Sequence, residues 1–235
     1  GNPLPDWSEP GSVWVMEDEN GNKRPDDTWY QLAGSDHFFT GTDTAYSLTY
    51  INPHEENAAD VPWRDLYGNR GMVSANAFHT QPYYPSPTLF HGLDPDSLTF
   101  RGTRIMGAMD TRNPASLKSM ERKFGYADNR PRGETGSPLP DNPYTEAIEG
   151  HGGDAMDIDW AVDHQGEYVQ LNRVHFIRVT TAMMTEASQL GEISTEVCGA
   201  LDVAPDAGIT GEERALVLED FPPVVDQEGW QLKLH

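Results

Sequence analysis

Over residues 156–163 large apolar side chains alternate with small or acidic ones: Met156, Ile158, Trp160 and Val162 are separated by Asp157, Asp159, Ala161 and Asp163. A repeat of two is the period of an extended chain with one buried face, not of a helical stripe. The pattern predicts a half-buried strand, closed by a turn at Asp163-His164-Gln165-Gly166. Similar short runs rich in aromatic and β-branched residues predict strands at 12–16, 28–32, 45–51, 97–105, 167–171, 173–182 and 193–201, with Tyr46, Leu48 and Tyr50 sharing one face of the third. Between them the chain is punctuated by 22 Gly and 18 Pro. Residues 52–72 read as a loop that carries Trp63 and Tyr67, 73–90 as an aromatic loop whose Pro82, Pro85 and Pro87 block central-strand pairing, and 128–153 as an irregular excursion. Residues 113–124 are too weakly periodic for a helix. The expected fold is all-β, a jelly-roll-like β-sandwich with long loops and few short helices. It divides into a sandwich over 1–203 and a C-terminal extension over 204–235, where Thr210 and Glu213 fit a capping box ahead of a short helix at 214–218.

Charge narrows the partners. The chain has 38 acidic and 16 basic residues, a formal charge of −22. Such a field repels phosphate backbones and anionic membrane surfaces, so nucleic acid is not expected as a partner and cations are. No apolar run is long enough for a transmembrane helix, so no membrane insertion by this chain is expected. Only four of the bases are lysine (Lys23, Lys118, Lys123, Lys233). That surface suits a saline or extracellular setting, or simply keeps the protein soluble. A secreted protein of this sequence would have its targeting signal removed or outside the chain. The single cysteine, Cys198, forms no internal disulfide and, in its apolar surroundings, is expected buried and inert.

One loop carries metal-ligand spacing. From Asp18 onward, oxygen side chains occupy positions 1, 3, 5 and 9: Asp18, Asn20, Asn22 and Asp26, with the Arg24 carbonyl at position 7 and Asp27 next to Asp26. Alternate spacing lets a curling loop aim successive oxygens at one ion, and calcium takes six to eight oxygens at about 2.3–2.6 Å. The spacing resembles the calcium loops of thrombospondin type-3 repeats and the first part of EF-hand and dockerin loops. It departs from them in having Trp29 at position 12 and glycine at position 4. The alternative is a plain solvated Asn-Gly hairpin turn. A second acidic set, Asp154, Asp157, Asp159 and Asp163, is either a solvent face or a second metal site, because strand carboxylates on one face repel unless a cation intervenes.

Catalytic signatures are not visible. Glycoside hydrolysis needs two carboxyls about 5–9 Å apart, and nothing in the sequence singles out such a pair. The eight histidines lack a His-Glu-x-x-His spacing, and there is no Gly-x-Ser-x-Gly elbow. The aromatic loop offers more: Phe78, His79, Tyr83 and Tyr84, with Trp63 and Tyr67, either form a stacking platform for a glycan or a corrinoid-like cofactor, or plug one end of the core.

The order of longer motifs carries a resemblance. Trp7-Ser8-Glu9-Pro10-Gly11, Asp18 to Asp27, Trp29 to Ser35, Asp60-Val61-Pro62-Trp63, Phe78 to Pro85, Phe124 to Asn129, Asp157 to Asp163 and Gly191 to Val197 follow one another. The series resembles a family of secreted or cell-surface bacterial proteins common in Bacteroidota-type genomes and often found near PKD-like modules. The resemblance spans about residues 7–200 and implies an envelope location and a β-sandwich. Members of that family carry further strands ahead of the Trp-Ser-Glu-Pro-Gly motif. An open sheet edge is therefore expected, able to pair with another chain or with the protein's own N-terminal segment. The resulting expectation is a non-enzymatic, calcium-stabilised surface module, structural or adhesive. Ligand capture by the aromatic loop and a glycan-active hydrolase are the alternatives.

Overall fold

In a computed structural model the described residues are 7–77, 80–86, 88, 92–106, 109–110, 118–129, 153–185, 193–200, 202, 224–226 and 229–233. Thirteen strands run through them: β1 Gly11–Met16, β2 Trp29–Leu32, β3 Asp43–Ile51, β4 Val61–Asp65, β5 Arg70–Val73, β6 Ser97–Arg104, β7 Met109–Asp110, β8 Lys118–Ser119, β9 Tyr126–Ala127, β10 Ala161–Val162, β11 Phe176–Thr181, β12 Val224–Asp226 and β13 Gly229–Lys233. The expected all-β class holds. One sheet has the order β10-β2-β1-β11-β13-β12, with β9 also paired to β1; a second has the order β5-β4-β3-β6, and β7 and β8 form a two-stranded sheet. Every strand pair is antiparallel.

β1, at the middle of the first sheet, is buried on both faces apart from the half-buried Trp14, which suits its aromatic and β-branched sequence. Val13 and Val15 pair with Val179 and Ile177, placing all four on one face. There they join Leu32, Ala161 and Leu171 in one apolar cluster, against which Trp160 and Met156 pack. The opposite face carries Trp14, Arg178 and Trp29, the Arg178 guanidinium lying 4.9 and 4.6 Å from the two indole rings. This face meets the second sheet: the Thr103 hydroxyl donates to Gln31 Oε1 at 2.5 Å, and Gly102 lies against Thr180.

Several local expectations are corrected. Residues 156–163 do not form one strand. The Asp157 side chain accepts from Asp159 N and starts a 3-10 turn at Ile158–Trp160, so only Ala161–Val162 enter the sheet. The turn at 163–166 is present, with Gly166 N donating to the Asp163 carbonyl at 3.0 Å. In 167–171 the pairing reduces to a single bridge between Tyr168 and Val162. Residues 52–72 are not all loop. They contain β4 and β5, which Pro62 and Gly71 disguised as breakers. Gly71 is needed because the Trp63 ring occupies the space of a Cβ. Residues 193–200 contain no strand. Side chains hold them in place of a ladder, since Ser194 N donates to Glu9 Oε1, the Thr195 hydroxyl to the Glu9 carbonyl and Glu196 N to Asp128 Oδ2. Without strand alternation to turn it inward, Cys198 is exposed, not buried. The expected helix at 214–218 lies outside the described residues; further on, β13 pairs with β11. Among the described residues no helix is long and apolar enough to cross a membrane.

Candidate functional site

The second sheet builds a cleft. Its registers, Leu48↔Phe100, Tyr50↔Leu98, Tyr50↔Trp63 and Val61↔Val73, set these apolar side chains on one face. The other face carries Thr49 and Thr99, hydrogen-bonded hydroxyl to hydroxyl at 2.8 Å. On the apolar face Val61 is buried, but Tyr50, Leu98, Phe100 and Val73 are only half-buried. The segment carrying Pro82, Tyr83, Tyr84 and Pro85 crosses over them and leaves a cavity of about 360 Å³. Tyr50 and Phe100 meet edge to face, centroids 5.8 Å apart and planes at 79°, so two walls of the cavity are perpendicular rings. Asn76 and Gln81 are the amide side chains in its lining, which contains no charged residue among the described ones.

Backbone bonds fix the covering segment. The Tyr84 hydroxyl donates to the Asp94 carbonyl at 2.7 Å, and the Tyr83 hydroxyl accepts from Asn76 N at 3.0 Å. Burial, reinforced by the negative charges of Asp94 and Asp96, pushes the Tyr84 phenol up to about 12. The same segment separates this cleft from a smaller cavity of about 190 Å³ bordered by Asn52, His54 and Glu55. His54 Nε2 stands 3.2 Å from Asp96 at its rim.

Of the aromatic residues expected to bind a ligand, Tyr83 and Tyr84 line the cleft. Trp63 and Tyr67 do not. Trp63 lies over Gly71, and Tyr67 is exposed on the β4–β5 turn, where its hydroxyl donates to Asp43 Oδ2 at 2.6 Å. Phe78 and His79 lie outside the described residues. Tyr50 and Phe100 also line the cleft and were not among the expected ligand residues, because they lie on strands 45–51 and 97–105 and nothing in one strand shows how far a covering loop extends.

The loop at 17–28 joins β1 to β2 and is a knot of side-chain bonds, longer than a two-residue turn. Asp18 accepts from Asn22 N and Lys23 N, Asn20 Oδ1 from Asn22 N, and Asn22 Oδ1 from Arg24 N. The Asn20 and Asn22 amides both donate to Asp26, and Asn20 donates also to Asp27. These bonds hold the Asp26 carboxyl below its usual value. Asp18 N donates to His175 Nδ1 at 3.0 Å, fastening the loop beside β11. These bonds tie Asp18, Asn20, Asn22, Asp26 and Asp27 into one network, which Arg24 joins through its backbone N–H. The amide donors on Asp26 are what a cation would displace.

The second acidic set is dispersed into separate backbone-capping roles. Asp154 accepts from Asn129 N, Asp157 from Asp159 N, and Asp163 from Gln165 N and Glu167 N. Another cluster has the closer geometry. Glu9, Asp128 and Glu196 offer carboxylate oxygens all within 4.8 Å of one another, the first two buried and the third exposed. Burial raises the Asp128 carboxyl, while the Glu196 N–H opposes that shift. These acids lie too far apart in the chain for any spacing rule to join them. Each nonetheless falls in one of the longer motifs, Trp7 to Gly11, Phe124 to Asn129 and Gly191 to Val197. No protein-family model matches the chain, and no curated protein matches it.

Proposed function

We propose that the protein is a non-enzymatic extracellular or cell-surface module that captures a small ligand in the aromatic cleft. The supporting observation is the cleft itself: a cavity of about 360 Å³ walled by Tyr50, Phe100, Tyr83 and Tyr84. Ligand sites fall in the range of about 300–1,000 Å³ and combine apolar walls with a few polar groups, here Asn76 and Gln81. The surface location rests on the acidic, lysine-poor composition and on the motif resemblance. Binding is tested by ligand-observed NMR with a library of neutral sugars and small ring compounds. Signals should broaden with the native protein and not with Tyr83→Ala at an unchanged melting temperature, while Trp63→Ala, outside the cleft, keeps binding. A library that gives no response with either protein would sink the reading.

A calcium-stiffened hairpin is a second reading, supported by the alternate spacing of Asp18, Asn20, Asn22 and Asp26 and by the bonds that link them and Asp27 in one loop. Holding that loop rigid would lower the ordering cost of any surface built beside it. The carboxylates of Glu9, Asp128 and Glu196 are the competing place for the ion. An assembly role would use the ends of the second sheet, whose described strand order stops at β5 and β6.

A further inference from the structure

We infer that the cleft selects an apolar organic cation, a small molecule bearing a quaternary or fully alkylated ammonium group; this rests on the cleft being the ligand site. Two observations point to the charge. The rings of Tyr50 and Phe100 stand at 79° with centroids 5.8 Å apart, so one guest can touch two walls at once, and aromatic faces carry negative potential that attracts a cation within about 6 Å of the centroid. Among the described residues no basic side chain lines the cleft.

The rim adds to this field. Asp94 and Asp96 are exposed beside Tyr84, close enough to act on its hydroxyl, and among the described residues His54 is the one titratable base bordering the adjoining cavity. The whole chain contributes a formal charge of −22. Because the lining itself is uncharged, a small, strongly hydrated cation would lose water without gaining a carboxylate partner. A bulky alkylammonium has little hydration to lose and fills apolar space, so it suits rings better than sodium, lysine-like ammonium or any anion. The half-buried Leu98 and Val73 extend the apolar wall past the rings and would receive the alkyl groups.

The test compares choline with 3,3-dimethylbutan-1-ol, its neutral carbon isostere, by titration into the native protein under heteronuclear NMR. Choline should bind at least about fivefold more tightly, as expected for about 1 kcal/mol of cation–π attraction. Phe100→Leu should reduce that preference, with a melting curve checking that the variant folds. Asp96→Asn, outside the cleft, should weaken choline and leave the isostere unchanged. Equal affinity for the two probes would overturn the charge selection while leaving the cleft as a ligand site. If neither probe shifts a cleft resonance, and the neutral ring compounds do not either, both inferences fall.

Discussion

Arg122 Nη1 meets Asp36 Oδ2 at 2.8 Å across 86 residues of chain, and both side chains are nearly buried. The pair is one clasp of a corner in which residues 33–36, just after β2, are bound to the segment leading into β9. Ser35 N donates to the Phe124 carbonyl, Lys123 N to the Ser35 hydroxyl and Asp36 N to the Tyr126 hydroxyl. Removing one member of a buried pair strands the other, which typically costs about 3–5 kcal/mol. Asp36→Ala should therefore destabilise by about that amount in urea unfolding. Asp36→Ala combined with Arg122→Met should recover part of the loss, and no recovery would mean that the corner does not depend on the ion pair.

The same corner depends on two glycines. A Cβ on Gly125 would stand 2.5 Å from the Gly34 Cα, and one on Gly34 would stand 2.5 Å from the Tyr126 ring. Gly125 also has a φ of +81°, where other residues are strained. Backbone cannot yield as a flexible side chain does, so Gly125→Ala should cost at least about 2 kcal/mol. Gly153→Ala, with open space around its Cβ position, should be near neutral. Equilibrium melts of both variants check the contrast.

Much of this architecture could be read from short runs of aromatic and β-branched residues, which mark β1, β2, β3, β6 and β11. What escaped the sequence was set by partners distant in the chain. Residues 52–72 read as loop, yet β4 and β5 pair there, with Gly71 making room for the Trp63 ring across the ladder. The alternation at Met156 to Val162 is real, but the local bond from Asp157 to Asp159 N redirects it into a turn. The Asp18 loop was visible because its donors and acceptors are neighbours. The Tyr50–Phe100 corner was not, since it arises only when β3 pairs with β6.

His37 provides a pH signature. It is 5 % exposed, its Nδ1 has no partner among the described residues, and it sits edge-on to Phe38. Burial lowers its proton affinity below the ordinary 6.5. Above pH 6.5 the imidazole is neutral folded and unfolded, and its burial costs no proton. As the pH falls below 6.5 the unfolded chain takes up a proton that the folded chain refuses, so stability is lost with a slope of at most about 1.4 kcal/mol per pH unit until the folded group titrates. Unfolding free energies of the native protein and His37→Leu, measured from pH 7.5 to 5, should diverge only below 6.5, with the variant less pH-sensitive. Parallel curves would show that His37 is protonated equally in both states.

The place of a divalent ion can be decided by separating the hairpin from the buried acids. Asp18 holds two backbone N–H groups and supplies two oxygens to the hairpin, so Asp18→Ala loosens the loop whether or not a cation binds. The informative quantity is the difference between melts with calcium and with chelator. Calcium at about a hundred times its dissociation constant would add about 2.7 kcal/mol, and for a chain of this size that raises the melting temperature by about 5–10 °C. If the ion sits in the hairpin, Asp18→Ala should abolish that difference and Glu196→Gln should preserve it. If it sits among Glu9, Asp128 and Glu196, the pattern should reverse, and Glu196 is the safer target because it alone of the three is exposed. Identical melts with calcium and chelator in the native protein would mean that the hairpin is closed by its own amides, with Asn20 and Asn22 doing for Asp26 what an ion would otherwise do.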